Sequence, residues 1–348
     1  MEMNSTVQAE RGVFKRAQRS NDLGNENLVK KPALVNPLQE VNNAPSAGTA
    51  RVVPELTSGI SKAPTESVKP SNPLVREPSM QEIVDEHDRD DQLMFSPYAQ
   101  RIVNNWLKVE EKFHVSPNYL DGQTDIKPYM RETLIDWIME VNQHFHHRRE
   151  TLYLCTNIVD RYVAAVIRDK SEVISRSNYQ LVGVTAYLIA SKYEEIYYPE
   201  IRVILDFADG IYTEDEVKRM EVKIVNTLKY DLTVPTTNKF LGRFLRLSSN
   251  KNIHFMCYFI CDRMLQSLSM LNWKPSVQAA AAIYLARKYF GYNESWNKTF
   301  EDFTGVKKST LMPCAIAIHN IIMTPSQLHA CEKKYKSSRF NQIYNSIP

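Results

Sequence analysis

Between Met130 and Val141 the chain reads M-R-E-T-L-I-D-W-I-M-E-V. At about 100° per residue, Met130, Leu134, Ile135, Trp137, Ile138, Met139 and Val141 spread over roughly 200° of a helical wheel, about twice what one buried face needs. Glu132, Thr133, Asp136 and Glu140 fill the polar remainder, and Arg131 falls near the middle of the apolar arc. The pattern predicts a helix with two apolar surfaces and a charge held between them. A charge so placed is costly unless it is paired.

The same helical period runs onward from Phe95, with dense aromatics and almost no strand alternation. Ser96-Pro97 predicts a helix start, the serine capping and the proline at the first position. A helix over 179–193 is apolar or small on nearly every side, as in the centre of a bundle. The pattern breaks at Leu232-Thr-Val-Pro235, read as an interdomain linker.

The halves on either side of that break resemble each other. Ala190-Ser-Lys-Tyr193 lies 14 residues before Phe207, and Ala286-Arg-Lys-Tyr289 lies 14 residues before Phe303, with Asp206 and Asp302 ahead of the phenylalanines. Each copy continues through a glycine break (Gly210, Gly305), an expected cap (Thr213, Ser309) and another helix. A repeat of about a hundred residues, several helices per copy, predicts two stacked all-α domains.

Residues 1–94 have a different texture. Phe14 is their only aromatic, and prolines recur. Such a segment buries too little surface to offset its ordering entropy. A disordered tail is expected through residue 94, with its acidic end, EIVDEHDRDD, helical only transiently. A length of 348 residues accommodates two domains and that tail.

Composition narrows the function classes. A formal net charge of +3 is too near neutral to argue for nucleic acid by itself. Cys155, Cys257, Cys261, Cys314 and Cys331 form no CxxC and no Cys/His cluster, which fits reduced thiols inside a cell. The N-terminus lacks a signal-peptide core and no apolar run is long enough to span a bilayer, so a soluble intracellular protein is expected. His144-Phe-His-His147 has no carboxylate or cysteine at ligand spacing, and no metal is expected there. Without a phosphate loop, nucleophile elbow or HExxH, no catalytic role is expected either.

Three charges sit where charges are unfavourable. Arg131 has its best partner in Asp160 of NIVDRYV on the next helix, a structural pair pinning two helices. Lys192 projects between Leu188 and Ile189, and its helix then ends in Glu194-Glu195, carboxylates at the end the macrodipole disfavours. Glu221 is surrounded on its wheel by Val217, Met220, Ile224 and Leu228. Either Lys192 and Glu221 pair inside the domain, or the pair opens onto an apolar surface and receives main-chain groups of a partner.

These residues carry a resemblance. Met130-Arg-Glu-Thr-Leu-Ile-Asp-Trp137, Glu150-Thr-Leu-Tyr-Leu154, Asp160-Arg-Tyr162, Ala190-Ser-Lys-Tyr-Glu-Glu195, Pro275-Ser-Val-Gln-Ala-Ala-Ala281 and Lys334-Tyr-Lys-Ser-Ser-Arg-Phe340 resemble the cyclins, specifically the B-type, G2/mitotic members, over roughly residues 96–348. The resemblance implies two tandem five-helix cyclin folds behind the tail, over 95–234 and 235–348. It implies a non-catalytic regulatory subunit that binds and activates a cyclin-dependent kinase at the G2/M transition, without a cofactor, in nucleus and cytoplasm. Lys192 and Glu221 match the pair that hydrogen-bonds the kinase, and Ile189, Tyr193, Val225 and Leu232 match the apolar contacts around it. Met130, Leu134, Trp137 and Gln180 match a patch that docks substrate or inhibitor peptides, and Arg131 and Asp160 match an internal pair.

One face of the 130–141 arc would then pack in the core and the other would face solvent. The loop over 168–178 is longer than the family pattern. The tail has no Arg-x-x-Leu destruction motif; Lys31-Pro-Ala-Leu34 is the nearest match to an element read by the mitotic ubiquitin ligase. A nucleic-acid-binding module, the competing class, needs a strongly basic face and usually a metal-binding ribbon.

Overall fold

The computed structural model of the protein describes residues 78–171 and 173–348. Among these residues there are helices, turns and loops but no strand. The first helix, α1 (Met80–His87), lies inside the stretch expected to be disordered through residue 94, so that boundary is corrected. Ser79 caps it, accepting from Glu82 N while the Glu82 carboxylate accepts from Ser79 N. Gln81 Nε2 donates to the Asp302 carbonyl at 2.7 Å, Asp85 pairs with Arg243 at 2.7 Å, and Asp88 pairs with Arg246. The acidic run is held by arginines more than 150 residues away in sequence, which composition does not report. The rest of the expected tail, residues 1–77, lies outside the described residues.

After α1 comes α2 (Ser96–Val109). Pro97 sits in its first turn as expected, but Ser96 is not the cap. Phe95 precedes the helix in a left-handed conformation, and Ser96 Oγ donates to the Asp85 carbonyl instead.

The first repeat consists of α3 (Pro128–His144), α4 (Arg149–Asp169), α5 (Arg176–Glu194), α6 (Ile201–Asp206) and α7 (Glu214–Thr227). The second follows the linker 231–236 with α8 (Thr237–Phe244), α9 (Lys251–Gln266), α10 (Pro275–Tyr289), α11 (Lys298–Thr304) and α12 (Lys308–Met323), and α13 (Ala330–Tyr335) follows it. Five helices per copy reproduce the repeat read from the sequence. The small-residue helices α5 and α10 are the centres, buried from Leu181 to Ser191 and from Ala279 to Ile283. Small side chains let neighbouring helices approach them from several sides.

The short helices α6 and α11 are each followed by a glycine in the left-handed region, Gly210 at φ 63° and Gly305 at φ 72°. Thr213 caps α7 in a capping box with Glu216. Ser309 does not cap α12: Lys307 occupies the cap position, and the Glu301 carboxylate accepts from Lys308 N at 2.8 Å.

At Gly183, α5 meets α3 closely. A Cβ there would stand 2.7 Å from Leu134 Cδ1, too close without movement. Gly183→Val is expected to lower stability by about 1–3 kcal/mol through overpacking, read as a fall in the thermal midpoint.

Two arginines of the first repeat, Arg131 buried and Arg149 half-buried, reach the second. Arg131, 1% exposed, gives Nε and Nη2 to the two Asp160 oxygens at 2.7 and 2.8 Å. Its Nη1 donates to the carbonyls of Leu265 and Gln266 at 3.1 and 3.3 Å, at the end of α9. Arg149 pairs with Asp262 of α9 at 3.0 Å and donates to Asn238 Oδ1 and Tyr335 Oη, each at 2.9 Å. The expected Arg131–Asp160 pair is present, and it also fastens one repeat to the other.

Candidate partner-binding surface

The helix α5 is buried through Ser191 and emerges at Lys192, where the bundle ends. Lys192 Nζ donates to both Glu221 oxygens, at 2.7 and 3.0 Å. The two side chains are 36% and 23% exposed, so the pair bridges α5 and α7 at the surface rather than inside the core. An ammonium has three protons; two point to Glu221, which leaves donor capacity for a main-chain carbonyl.

Apolar and aromatic residues follow this pair along both helices. Tyr193 is exposed, with its hydroxyl 2.6 Å from Thr233 Oγ1, and Val225 and Leu232 are half-buried. Ile189 is the exception among the predicted contacts. At 4% exposure it lies in the core, three residues farther into the bundle than Lys192.

The loop after α5 also presents apolar surface, which periodicity does not show. Ile196 is 84% exposed and Tyr197 88%, with Tyr198 and Val222 also exposed. Three consecutive exposed apolar residues are unusual unless something covers them. A loop has no period to betray it, so the available signal was only the run Ile196-Tyr-Tyr between charges and Pro199.

The disfavoured carboxylates at the end of α5 have found partners. Glu195 accepts from Arg148 N at 2.7 Å and from the Thr151 hydroxyl, so it serves the N-terminal end of α4. Burial pushes the Glu194 carboxyl up, and Lys239 at 3.7 Å works against that.

The second predicted patch is shallower than expected. Met130 and Gln180 are half-buried, but Leu134 and Trp137 are 2% and 7% exposed. Leu134 sinks into the space that Gly183 leaves. In addition α13 packs on α3, and Asp136 accepts from His329 N and Ala330 N at 3.2 and 3.1 Å. Leu134 and Trp137 are therefore buried rather than open, which corrects the expectation that they face solvent, while α13 packs on the Asp136 and Gln143 side of α3.

The histidine run carries no ligand set. His144 and His146 are exposed, while His147 is half-buried with Nδ1 2.8 Å from Tyr187 Oη. Among the described residues no group of three His, Cys, Asp or Glu side chains could hold a metal ion, and no helix is long and apolar enough to cross a membrane. All five cysteines are buried and unpaired. Lys31 and Leu34 lie outside the described residues.

Residues 101–233 match the family description "Cyclin, N-terminal domain" and residues 235–348 match "Cyclin, C-terminal domain". The chain is 36% identical over 268 residues to Cyclin-B2-2 of Oryza sativa subsp. indica, covering 76% of this chain and 62% of that protein. It is 33% identical over 261 residues to G2/mitotic-specific cyclin-2 of Medicago sativa, covering 74% and 78% respectively. Against the viral cyclin from herpesvirus saimiri the TM-score is 0.53 at 16% identity, over 63% of this chain and 97% of that one, a likeness of fold.

Proposed function

The chain belongs to the cyclin family, and on that premise we propose that it is a regulatory subunit that binds and activates a cyclin-dependent protein kinase at the G2/M transition. The observation that carries this reading is the Lys192–Glu221 pair, held at the surface between α5, which continues into exposed Tyr193 and the Ile196–Tyr198 run, and α7, which carries Val225 one turn on. A hydrogen-bonding centre beside apolar residues suits a helix or loop of a protein partner.

The mechanism is a population shift. A protein kinase transfers phosphate quickly only when its strand lysine and movable-helix glutamate are paired and its activation loop is ordered. A rigid partner that binds that arrangement preferentially raises its share. Moving a 1:99 equilibrium to 99:1 takes about 5.5 kcal/mol of differential binding. At about 25 cal/mol per Å², that corresponds to roughly 220 Å² of apolar surface buried only in the active arrangement. The exposed tyrosines and isoleucine that follow the pair are the natural source. The chain contributes no catalytic residue to the transfer.

Docking of substrate or inhibitor peptides would centre on Met130 and Gln180, with Leu134 and Trp137 as the floor. Recognition of Lys31 and Leu34 by the mitotic ubiquitin ligase, and residence in nucleus and cytoplasm, belong to the same proposal.

The test is the rate at which a mitotic cyclin-dependent kinase phosphorylates a serine-proline peptide, with and without equimolar chain. A rise of about a hundred-fold is expected. An unchanged rate, with the chain folded by circular dichroism, contradicts the proposal.

A further inference from the structure

A groove of about 940 Å³ opens between the turn 112–116, the C-terminal half of α4 and the end of α7. Its charges fall into two groups. At one end Lys112 and Arg161 lie beside Asp231, the carboxylate Lys112 pairs with, and both cations lie within 5.2 Å of the Phe113 ring. Lys112 takes the Asp231 carboxylate, while Arg161 reaches only the Asp231 carbonyl at 2.9 Å and Asn157 Oδ1 at 3.4 Å, both through Nη1. Nε and Nη2 of Arg161 have no partner among the described residues, although the side chain is half-buried. At the other end Arg168 and Lys229 share Asp169, which Arg168 grips at 2.8 and 3.1 Å. Each end therefore carries one cation more than it has carboxylates.

The floor between the ends is apolar, from Ala164, Ala165 and Ile167. The rim is strained: Lys229 and Tyr230 are consecutive non-glycine residues in the left-handed region, at φ 54° and 57°. Such backbone has an energetic cost and persists where the surroundings enforce it. Tyr230 remains 69% exposed there. That edge of the Arg161 guanidinium is free to take a ligand, and a carboxylate matches it with two parallel hydrogen bonds.

We propose that this groove docks an acidic segment of a partner protein: an extended peptide with two carboxylate side chains about three residues apart and an apolar side chain between them. The spacing follows from geometry. Arg161 and Arg168 are seven residues apart on one helix, about 10 Å, and a peptide in the extended polyproline II conformation advances about 3.1 Å per residue with every third side chain on one face. One excess cation at each end suits two carboxylates. It is far from the 6–10 phosphate contacts that strong nucleic-acid binding uses.

The probe is a fluorescein-labelled octapeptide with two glutamates three residues apart and a leucine between them, titrated with the full chain at low salt and followed by anisotropy. Saturable binding is expected, weakened about ten-fold or more when the two glutamates become glutamines, and likewise when they are moved to adjacent positions. Lys229→Glu, an exposed change that leaves the core intact, is expected to weaken it about ten-fold, as is Arg161→Gln if that variant folds. Four results overturn the proposal: no saturable binding, glutamine peptide bound within about two-fold of the parent, no effect of Lys229→Glu, or displacement by a single-stranded oligonucleotide at lower concentration than by unlabelled peptide.

Discussion

Replacing Asp160 with alanine is expected to lower folding stability by about 3–5 kcal/mol, the cost of leaving one partner of a buried pair uncompensated. Asp160 is 2% exposed and accepts from Arg131 Nε, Arg131 Nη2 and the Tyr119 hydroxyl at 2.7, 2.8 and 2.9 Å. Burial alone would lower the Arg131 pKa; Asp160 more than reverses this and holds it above its ordinary value, so the guanidinium stays charged. Without the carboxylate, that charge keeps only the carbonyls of Leu265 and Gln266. The double change Arg131→Met/Asp160→Leu removes both charges at similar volume and is expected to cost less than Asp160→Ala. Urea unfolding midpoints at constant m-value distinguish the two. A double variant less stable than the single one would mean that the links to α9 outweigh the charge pairing.

Asp262→Asn is expected to be as damaging and to act between the repeats. Asp262 is fully buried, between Arg149 at 3.0 Å and Lys334 at 2.7 Å, and accepts from Tyr153 and Tyr335 hydroxyls at 2.9 and 2.7 Å. Neutralising it leaves two cations facing each other in the interior, a loss of about 3 kcal/mol or more. Limited proteolysis should then cut the linker 231–236 faster, because the network joins α4, α9 and α13. Burial pushes the Asp262 carboxyl up, but Arg149 and Lys334 outweigh it and hold it below the ordinary 3.8. For a carboxyl with a depressed folded pKa, the stabilisation is present above the unfolded value and is lost as pH falls through the folded one. The parent should therefore lose stability below about pH 3.8 with a steeper slope than Asp262→Asn.

What the residues disclosed follows from the range of the forces involved. The period of α3, with Arg131 inside its apolar arc, disclosed a helix with two packed faces and an internal charge, because both are properties of one helix. The repeat from Ala190 to Phe207 and from Ala286 to Phe303 disclosed two copies of one bundle. Lys192 and Glu221 stood out because each interrupts an apolar stripe, although periodicity alone left open whether they faced inward or outward.

Contacts between distant residues were not legible. The helix α1 starts at a local capping box, Ser79 with Glu82, but what holds it to the bundle is the pairing of Asp85 and Asp88 with Arg243 and Arg246, and nothing local in EIVDEHDRDD announces those partners. Leu134 and Trp137 are buried, Leu134 in the space that Gly183 leaves, whereas a helical wheel treats every apolar position alike. Ile189 shares the stripe of Lys192 but sits one turn deeper, and depth along a helix axis is invisible to periodicity.

The central claim is that the Lys192–Glu221 pair anchors a kinase while the fold stands without it. Both side chains are partly exposed, and exposed ion pairs contribute at most about 1 kcal/mol to stability. The direct measurement is calorimetric titration of a mitotic cyclin-dependent kinase with the parent chain and with Lys192→Ala/Glu221→Ala. The account predicts a fold and thermal midpoint close to the parent's, with affinity reduced about a hundred-fold or more, as expected for two central interface residues. Equal affinity for the two proteins would contradict it and return the pair to a purely structural role.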